Sequence, residues 1–163
     1  MTEGTKSYLF GCHHWLFHPL GVILAWRCHY GRWPRFWKIV CIFLHDIGIV
    51  GTNYLRDGKK NHWRRGAEWS MKLFGEDAFW FVATHDPTCE YIEERGRSEM
   101  FIPDKLCWLY QPRILLEIYQ RVEGFYKHCT VEEWLTKVKA NRDKGFPEGG
   151  HAIYMKMRSE ATQ

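Results

Sequence analysis

The sequence predicts an all-α fold, a single-domain helical bundle of about six to seven helices. The 163 residues are enough for one domain with its own core and too few for two ordinary domains. Apolar side chains recur at helical spacing along most of the chain, and the alternation typical of strands is scarce. Neither a repeat nor an interdomain linker interrupts this pattern. The bundle is predicted over 1–144, followed by a C-terminal tail over 145–163, which is rich in glycine.

Two helices are predicted in the first third of the chain. The first spans about 18–30, where Pro19 suits a position in the first turn. The second spans about 34–44 and carries a wide apolar stripe. The adjacent polar residues His45 and Asp46 follow directly after its end.

Two further helices are predicted in the middle of the chain. One begins near Asn61, a residue that suits the N-cap position, and runs to Phe74. The other covers about 78–84 and is apolar nearly all round, as is typical of a short central helix. Residues 87–100 are polar and are predicted to form a loop.

The C-terminal part of the bundle contains the remaining helices. Pro103 can open a helix that Pro112 breaks, and helical spacing resumes over about 115–126. Thr130 and Glu133 have the spacing of a capping box, which predicts that the last helix begins there.

Composition limits the partners and the compartment. A net charge of +4 without a basic stripe excludes a stable nucleic-acid complex and is compatible with a small anionic substrate. Aromatic residues make up 17% of the chain, more than a small core needs, which favours a homo-oligomer or an aromatic-lined pocket. Six cysteines without a CxxC pattern indicate reduced thiols in the cytoplasm, or in the host cytoplasm if the chain is phage-encoded. The longest apolar run, 39–44, is far shorter than the about 20 residues that span a membrane.

Histidines and aspartates stand beside the predicted core helices. An imidazole or a carboxylate at the end of an apolar helix needs a partner when it is buried. Imidazole and carboxylate together suit divalent transition metals. We therefore predict a metal cluster built from these residues. The histidines beside core helices are His18, His29, His45, His62 and His85, and the aspartates are Asp46 and Asp104.

These residues occur in the order and spacing of a known family. The pattern begins with His18-Pro19, continues with the Phe-Leu-His-Asp-Ile-Gly of 43–48 and includes His62 followed by Gly-Ala-Glu at 66–68. It ends with Val-Ala-Thr-His at 82–85 and Asp-Lys-Leu at 104–106. From about 18 to 110 the chain resembles the HD-domain superfamily of metal-dependent phosphohydrolases, and more narrowly the short HD-domain proteins of bacteria and their phages.

The resemblance implies a ligand set. In the superfamily a histidine, a His-Asp pair and a later aspartate bind one metal ion. Members with two ions add two histidines and use the aspartate of the pair as a bridge. The implied metal ligands are His18, His45, Asp46, His62, His85 and Asp104. The expected cofactor is one or two divalent ions of Mn, Fe, Co, Ni, Mg or Zn.

Two alternatives stay open for the ligands. His29 lies on the same helix face as His18 but about 16 Å further along the axis, so both cannot bind one ion. His18 fits the family spacing better, and His29 is expected to pack on the core or line the pocket. His85 and Asp86 form a second His-Asp pair, and Asp86 is expected either in a supporting turn or as a ligand.

The resemblance also implies a reaction, hydrolysis of a phosphoester by a metal-activated water. The expected substrate is a nucleotide or a similar small phosphorylated molecule. Asp46 and Lys105 are the expected catalytic residues, and Lys105, Arg64 and Arg65 the expected phosphate-binding cations. Cations beside a predicted Asp57-Gly58 turn are expected at the rim, namely Arg56, Lys59 and Lys60.

Departures from the family pattern leave other functions open. Ile49 stands where many members have a lysine or a glutamate, and the Gly-Tyr-Pro element of cyclic-di-GMP phosphodiesterases is absent after His85. One alternative is a di-iron oxygenase of the HD type. The other is a non-catalytic binding or assembly protein that a metal stabilises.

Overall fold

The computed structural model describes residues 1–53, 61–123 and 129–146, and within these ranges it contains α-helices and short 3-10 turns but no strand. The all-α class is thereby confirmed, with nine α-helices in the described ranges against the six to seven predicted. They are α1 (Glu3–Phe10), α2 (Phe17–Tyr30), α3 (Phe36–Leu44), α4 (His62–Phe74), α5 (Glu76–Ala83), α6 (Ile92–Arg95), α7 (Phe101–Leu106), α8 (Arg113–Glu123) and α9 (Val131–Asp143). The 3-10 turns are Ile47–Ile49 and Cys107–Tyr110.

Two of these helices were not predicted. α1 buries Gly4 and Ser7, two small residues that give no apolar periodicity. It packs against α8 and the Ile47–Ile49 turn. α6 is a single turn inside the segment predicted as a loop, and it buries no residue, so apolar spacing could not reveal it.

The remaining helices lie close to their predicted positions. α7 begins at Phe101, so Pro103 sits within its first turn, where a proline needs no backbone hydrogen bond. Asn61 precedes α4 as predicted, but its side chain accepts a bond from the Arg64 side chain and does not cap the helix. The capping box of Thr130 and Glu133 is present at the start of α9.

Glycines allow α4 to approach the end of α3 closely. A Cβ atom on Gly66 would lie 2.4 Å from the carbonyl oxygen of Leu44 and 2.8 Å from that of His45. A Cβ atom on Gly48 would lie 1.8 Å from the carbonyl oxygen of His62. These are closer than carbon and oxygen atoms can pack, so a larger residue at either position would push α4 away.

The bundle core is rich in aromatic side chains. Trp26, Trp63 and Trp134 are fully buried, and the rings of Trp108 and Trp134 meet edge to face at 6.0 Å. Other rings remain at the surface, among them Trp33 with 60% exposure. In the described ranges every helix is too short or too polar to cross a membrane.

Some of the predicted features lie outside the described residues. This applies to the Asp57-Gly58 turn, to its neighbours Arg56, Lys59 and Lys60, and to most of the predicted tail.

Candidate metal centre

Five separate segments bring their polar residues to one buried point. His18 is the second residue of α2, and His45 with Asp46 follows the last residue of α3. His62 is the first residue of α4. His85 follows α5, and Asp104 lies in α7. All six predicted ligands are buried, with 1% to 7% of each residue exposed.

The first half of the cluster consists of two histidines and two aspartates. The Nε2 atoms of His18 and His45 lie 3.1 Å apart. The Oδ2 atom of Asp46 lies 3.2 Å from His18 Nε2 and 3.1 Å from His45 Nε2. The Oδ1 atom of Asp104 lies 3.1 Å and 3.6 Å from the same nitrogens. Each of the two histidine nitrogens therefore lies within 3.6 Å of both carboxylates.

The second half uses the other oxygen of Asp46. Its Oδ1 atom lies 3.4 Å from the Nε2 atom of His62 and 3.9 Å from that of His85. The rings of His62 and His85 stand edge to face at 5.5 Å. The two carboxylate oxygens of Asp46 thus face two different pairs of histidines.

The opposite ring nitrogen of each histidine has a partner of its own. His45 Nδ1 donates to the carbonyl oxygen of Ile42 at 2.5 Å, and His85 Nδ1 donates to that of Val82. These backbone bonds fix both rings with Nε2 directed into the cluster. Metal-binding histidines in proteins are oriented in this way by a second hydrogen bond.

Asp86 and Cys107 provide the corresponding support for the other two histidines. Asp86 Oδ2 lies 3.2 Å from His62 Nδ1, and the carboxylate of Asp86 is held by the backbone and hydroxyl of Thr88. Cys107 Sγ lies 3.3 Å from His18 Nδ1. Asp86 therefore contacts His62, one of the predicted ligands, from a turn that Thr88 stabilises.

The charges within the cluster are strongly coupled. Burial raises the pKa of Asp46, but the neighbouring His45, His13 and His18 outweigh this effect and hold it well below its usual range. The pKa of His45 rises to about 9, because Asp46 and Asp104 outweigh the opposing effect of burial. His85 lies farther from Asp46, at 3.9 Å, and burial together with the charge of His45 lowers its pKa to about 4.

The donor set fits one or more metal ions. Ligands about 2.0–2.2 Å from an ion lie about 3–3.5 Å from each other, which is close to the spacing in the first half of the cluster. Asp46 Oδ2 is buried and accepts no hydrogen bond of normal geometry, although two ring nitrogens lie beside it. A metal ion between these groups would give this oxygen a partner. The groups His18–His45–Asp46 and Asp46–His62–His85 can each hold an ion.

The predicted cations differ in position. Lys105 Nζ lies 2.5 Å from Asp104 Oδ2, and its side chain is 16% exposed. Arg64 pairs with Glu90, and Arg65 donates to the carbonyl oxygen of Val50. Within the described ranges neither guanidinium pairs with an aspartate of the cluster. Lys105 is therefore the only one of the three predicted cations that pairs with a ligand.

His29 lies away from the cluster, near the end of α2. It is exposed and packs edge to face on Tyr30, with ring centres 4.6 Å apart. It is therefore neither beside this cluster nor part of the core, although it was expected to pack on the core or line the pocket. Its position, about three helical turns after His18, explains its distance from the cluster.

Two residues beside the cluster were not predicted. Cys107 follows Asp104 by three positions, so helical spacing could have placed both on one side. His13 packs edge to face on His18, with ring centres 5.7 Å apart, and its Nδ1 atom lies 2.8 Å from the hydroxyl of Ser7. No pattern in the sequence pointed to His13, since the α1 helix before it was not predicted.

A second group of possible metal donors joins α1 to α8. The backbone N–H of Cys12 donates to Glu123 Oε1 at 2.5 Å, and its thiol donates to Glu123 Oε2 at 3.0 Å. Cys12 and Glu123, with His13, could also hold an ion. The hydrogen bonds between Cys12 and Glu123 account for this grouping. They connect the segment that follows α1 to the end of α8.

No protein-family model, curated protein or solved structure matches the chain.

Proposed function

We propose that the chain is a metal-dependent phosphohydrolase that hydrolyses a phosphoester of a nucleotide or a similar small phosphorylated molecule. The observation that carries this proposal is the position of Asp46, with one carboxylate oxygen toward His18 and His45 and the other toward His62 and His85. A carboxylate between two histidine pairs suits a site for two divalent ions.

The six candidate ligands would hold two ions. His18, His45 and Asp104 would hold one ion, His62 and His85 the other, and Asp46 both. Divalent ions in such a site lower the pKa of water and withdraw charge from phosphoryl oxygens. The candidate ions are those expected from the sequence, namely Mn, Fe, Co, Ni, Mg and Zn.

Lys105 would attract and orient the phosphoryl group. Asp104 outweighs the effect of burial and raises the pKa of Lys105, so that its ammonium group stays charged at neutral pH. The ammonium lies directly beside Asp104, at the edge of the first half of the cluster. A fixed cation there favours the negative charge that develops on phosphoryl oxygens during the reaction.

A hydrolysis screen tests this function. The purified full chain would be incubated with nucleoside mono-, tri- and cyclic phosphates and with each candidate ion in turn. We expect turnover with at least one pair, loss of turnover in Asp46→Asn, and retention of the helical circular-dichroism signal. Asp143→Asn, an exposed change of the same chemistry on α9, is the matched control. Full activity of Asp46→Asn would contradict the proposal.

The same donors favour a second candidate, a di-iron site that activates oxygen. Four histidines and two carboxylates suit iron as well as the ions used in hydrolysis. Iron content and redox-linked absorption separate the two candidates. Two irons per chain with no phosphoester turnover would favour the oxygenase. Metal without any turnover would favour the third possibility, a binding or assembly protein.

A further inference from the structure

A second pocket lies at the opposite end of α2 and α3 from the candidate metal centre. Its cavity of about 360 Å³ is lined by side chains that include Trp26, Arg32, Trp33, Arg35, Lys38 and Glu99. α2 has 14 residues and is therefore about 21 Å long, which separates this pocket from His18 at the other end of the helix. We call it the cationic pocket.

Positive charge dominates the cationic pocket. Arg32, Arg35 and Lys38 face a single acidic residue of the lining, Glu99. That carboxylate is shared, because it contacts Lys38 and also lies 3.5 Å from Arg32. Arg35 has no ion pair with any described residue. The lining therefore carries two more positive charges than negative ones.

This arrangement of charges is unfavourable on its own. Arg35 precedes α3 and Lys38 lies in its first turn, which contains no acidic residue. The start of a helix has a partial positive charge, and cations there are destabilising. Burial lowers the pKa of Lys38, and repulsion from Arg32 and Arg35 lowers it further. An anion in the pocket would relieve both effects.

Lys38 is held firmly in position. Its Nζ atom lies 5.1 to 5.3 Å from the ring centres of Trp26, Trp37 and Phe81, and its side chain is only 14% exposed. A cation fixed by three rings loses little freedom when it binds an anion, so the pocket is organised before the ligand arrives.

An aromatic ring lies beside these charges. Trp33 lines the pocket and is 60% exposed, and the guanidinium of Arg27 lies 5.9 Å from its ring centre. Exposed rings next to cations bind nucleotide bases by stacking while the cations bind the phosphates. The cavity is within the about 300–1,000 Å³ range of small-molecule sites.

We propose that the cationic pocket binds a free nucleoside polyphosphate, with its phosphates on Arg32, Arg35 and Lys38 and its base on Trp33. This site is separate from the candidate metal centre. It does not depend on the function proposed above.

Calorimetric titration of the full chain tests the proposal. The probes are inorganic pyrophosphate and ATP, in a buffer that contains a chelator so that no divalent ion takes part. We expect both to bind, and ATP to bind more tightly because it adds a third phosphate and a base. Absence of binding by either probe would overturn the proposal.

Variants locate the bound probe. We expect Arg32→Gln and Arg35→Gln each to weaken pyrophosphate binding about fivefold, since each removes a cation from the phosphates. Glu99→Gln is expected to strengthen binding, since it removes the competing carboxylate. Arg121→Gln, an exposed change on α8, is the matched control and should leave affinity unchanged. Unchanged affinity in both pocket arginine variants would overturn the proposal.

Two further variants test the base and the independence of the site. Trp33→Leu should weaken the binding of ATP and leave that of pyrophosphate unchanged, and an unchanged preference for ATP would overturn the nucleotide assignment. Asp46→Asn should bind both probes as the unchanged chain does. Loss of binding in Asp46→Asn would place the anion at the metal centre and overturn a separate site.

Discussion

Asp46 is the residue on which both halves of the candidate centre depend. We expect Asp46→Asn to lose all bound metal, whereas Asp104→Asn should lose only the ion of the first half. The reason is that Asp46 offers an oxygen to each histidine pair, while Asp104 lies near His18 and His45 alone. Elemental analysis of the purified variants measures this. Equal metal content in the two variants would contradict the bridging role.

The cluster also makes the stability of the metal-free protein depend on pH. Its His45 has a pKa of about 9, above the ordinary value of about 6.5. Protonated His45 therefore stabilises the folded chain. The stabilisation is complete below the ordinary pKa and is lost as the pH rises through 9. We expect the free energy of unfolding in urea to fall between about pH 6.5 and 9.

Metal affinity should change in the opposite direction over this range. Protons on His45 compete with an ion, so affinity is expected to increase as the pH rises. The variant Asp46→Asn removes the carboxylate that raises the pKa of His45 most, and the stability of this variant should vary less with pH. A profile as steep in Asp46→Asn as in the unchanged chain would contradict this assignment.

Among the elements, α4 depends on close contact with the end of α3. We expect Gly66→Ala to destabilise the protein by about 1–3 kcal/mol, because the added methyl group would overlap the carbonyl oxygens of Leu44 and His45. The same displacement would move His62 from Asp46 and weaken metal binding. Urea denaturation and metal titration measure the two effects. Glu68→Ala, exposed on the same helix, should change neither.

The capping box of α9 offers a second test, one that leaves the centre intact. The hydroxyl of Thr130 accepts a bond from the backbone of Glu133 at 3.2 Å. Thr130→Ala should lower the free energy of unfolding by about 1 kcal/mol without changing metal content. Thr130→Ser keeps the hydroxyl and should restore most of this stability. A loss of metal in Thr130→Ala would show that α9 supports the centre more directly than its contacts indicate.

Prediction from sequence succeeded where the spacing of side chains reflects which of them are buried. The apolar spacing of α2 and α3 located both helices, and the resemblance to the HD-domain pattern singled out six residues that the fold does bring together. It failed for α1, whose buried face is made of glycine and serine. It did not give the partners of Arg64 and Arg65, since adjacency to His62 does not determine where a long exposed side chain points.

For the whole molecule, a bound metal should act as a stabiliser of the fold. The six candidate ligands come from five segments, so an ion would bind the folded chain and not the unfolded one. An ion present at a hundredfold excess over its Kd should raise the Tm by roughly 5–10 °C. Thermal unfolding with and without a chelator measures this. The Tm of Asp46→Asn should be insensitive to the chelator, and an equal shift there would locate the stabilising ion elsewhere.

Because the candidate ligands are spread along the chain, they become available at different times while the ribosome makes the protein. His18 leaves the ribosome early, and its partner Asp104 follows only after α3, α4 and α5 have been made. The first half of the centre therefore cannot close while the chain is still short. Neighbouring helices such as α4 and α5 can pair first, since contacts between elements close in sequence form fastest. A nascent chain would thus pair α4 with α5 before the first half of the centre is complete.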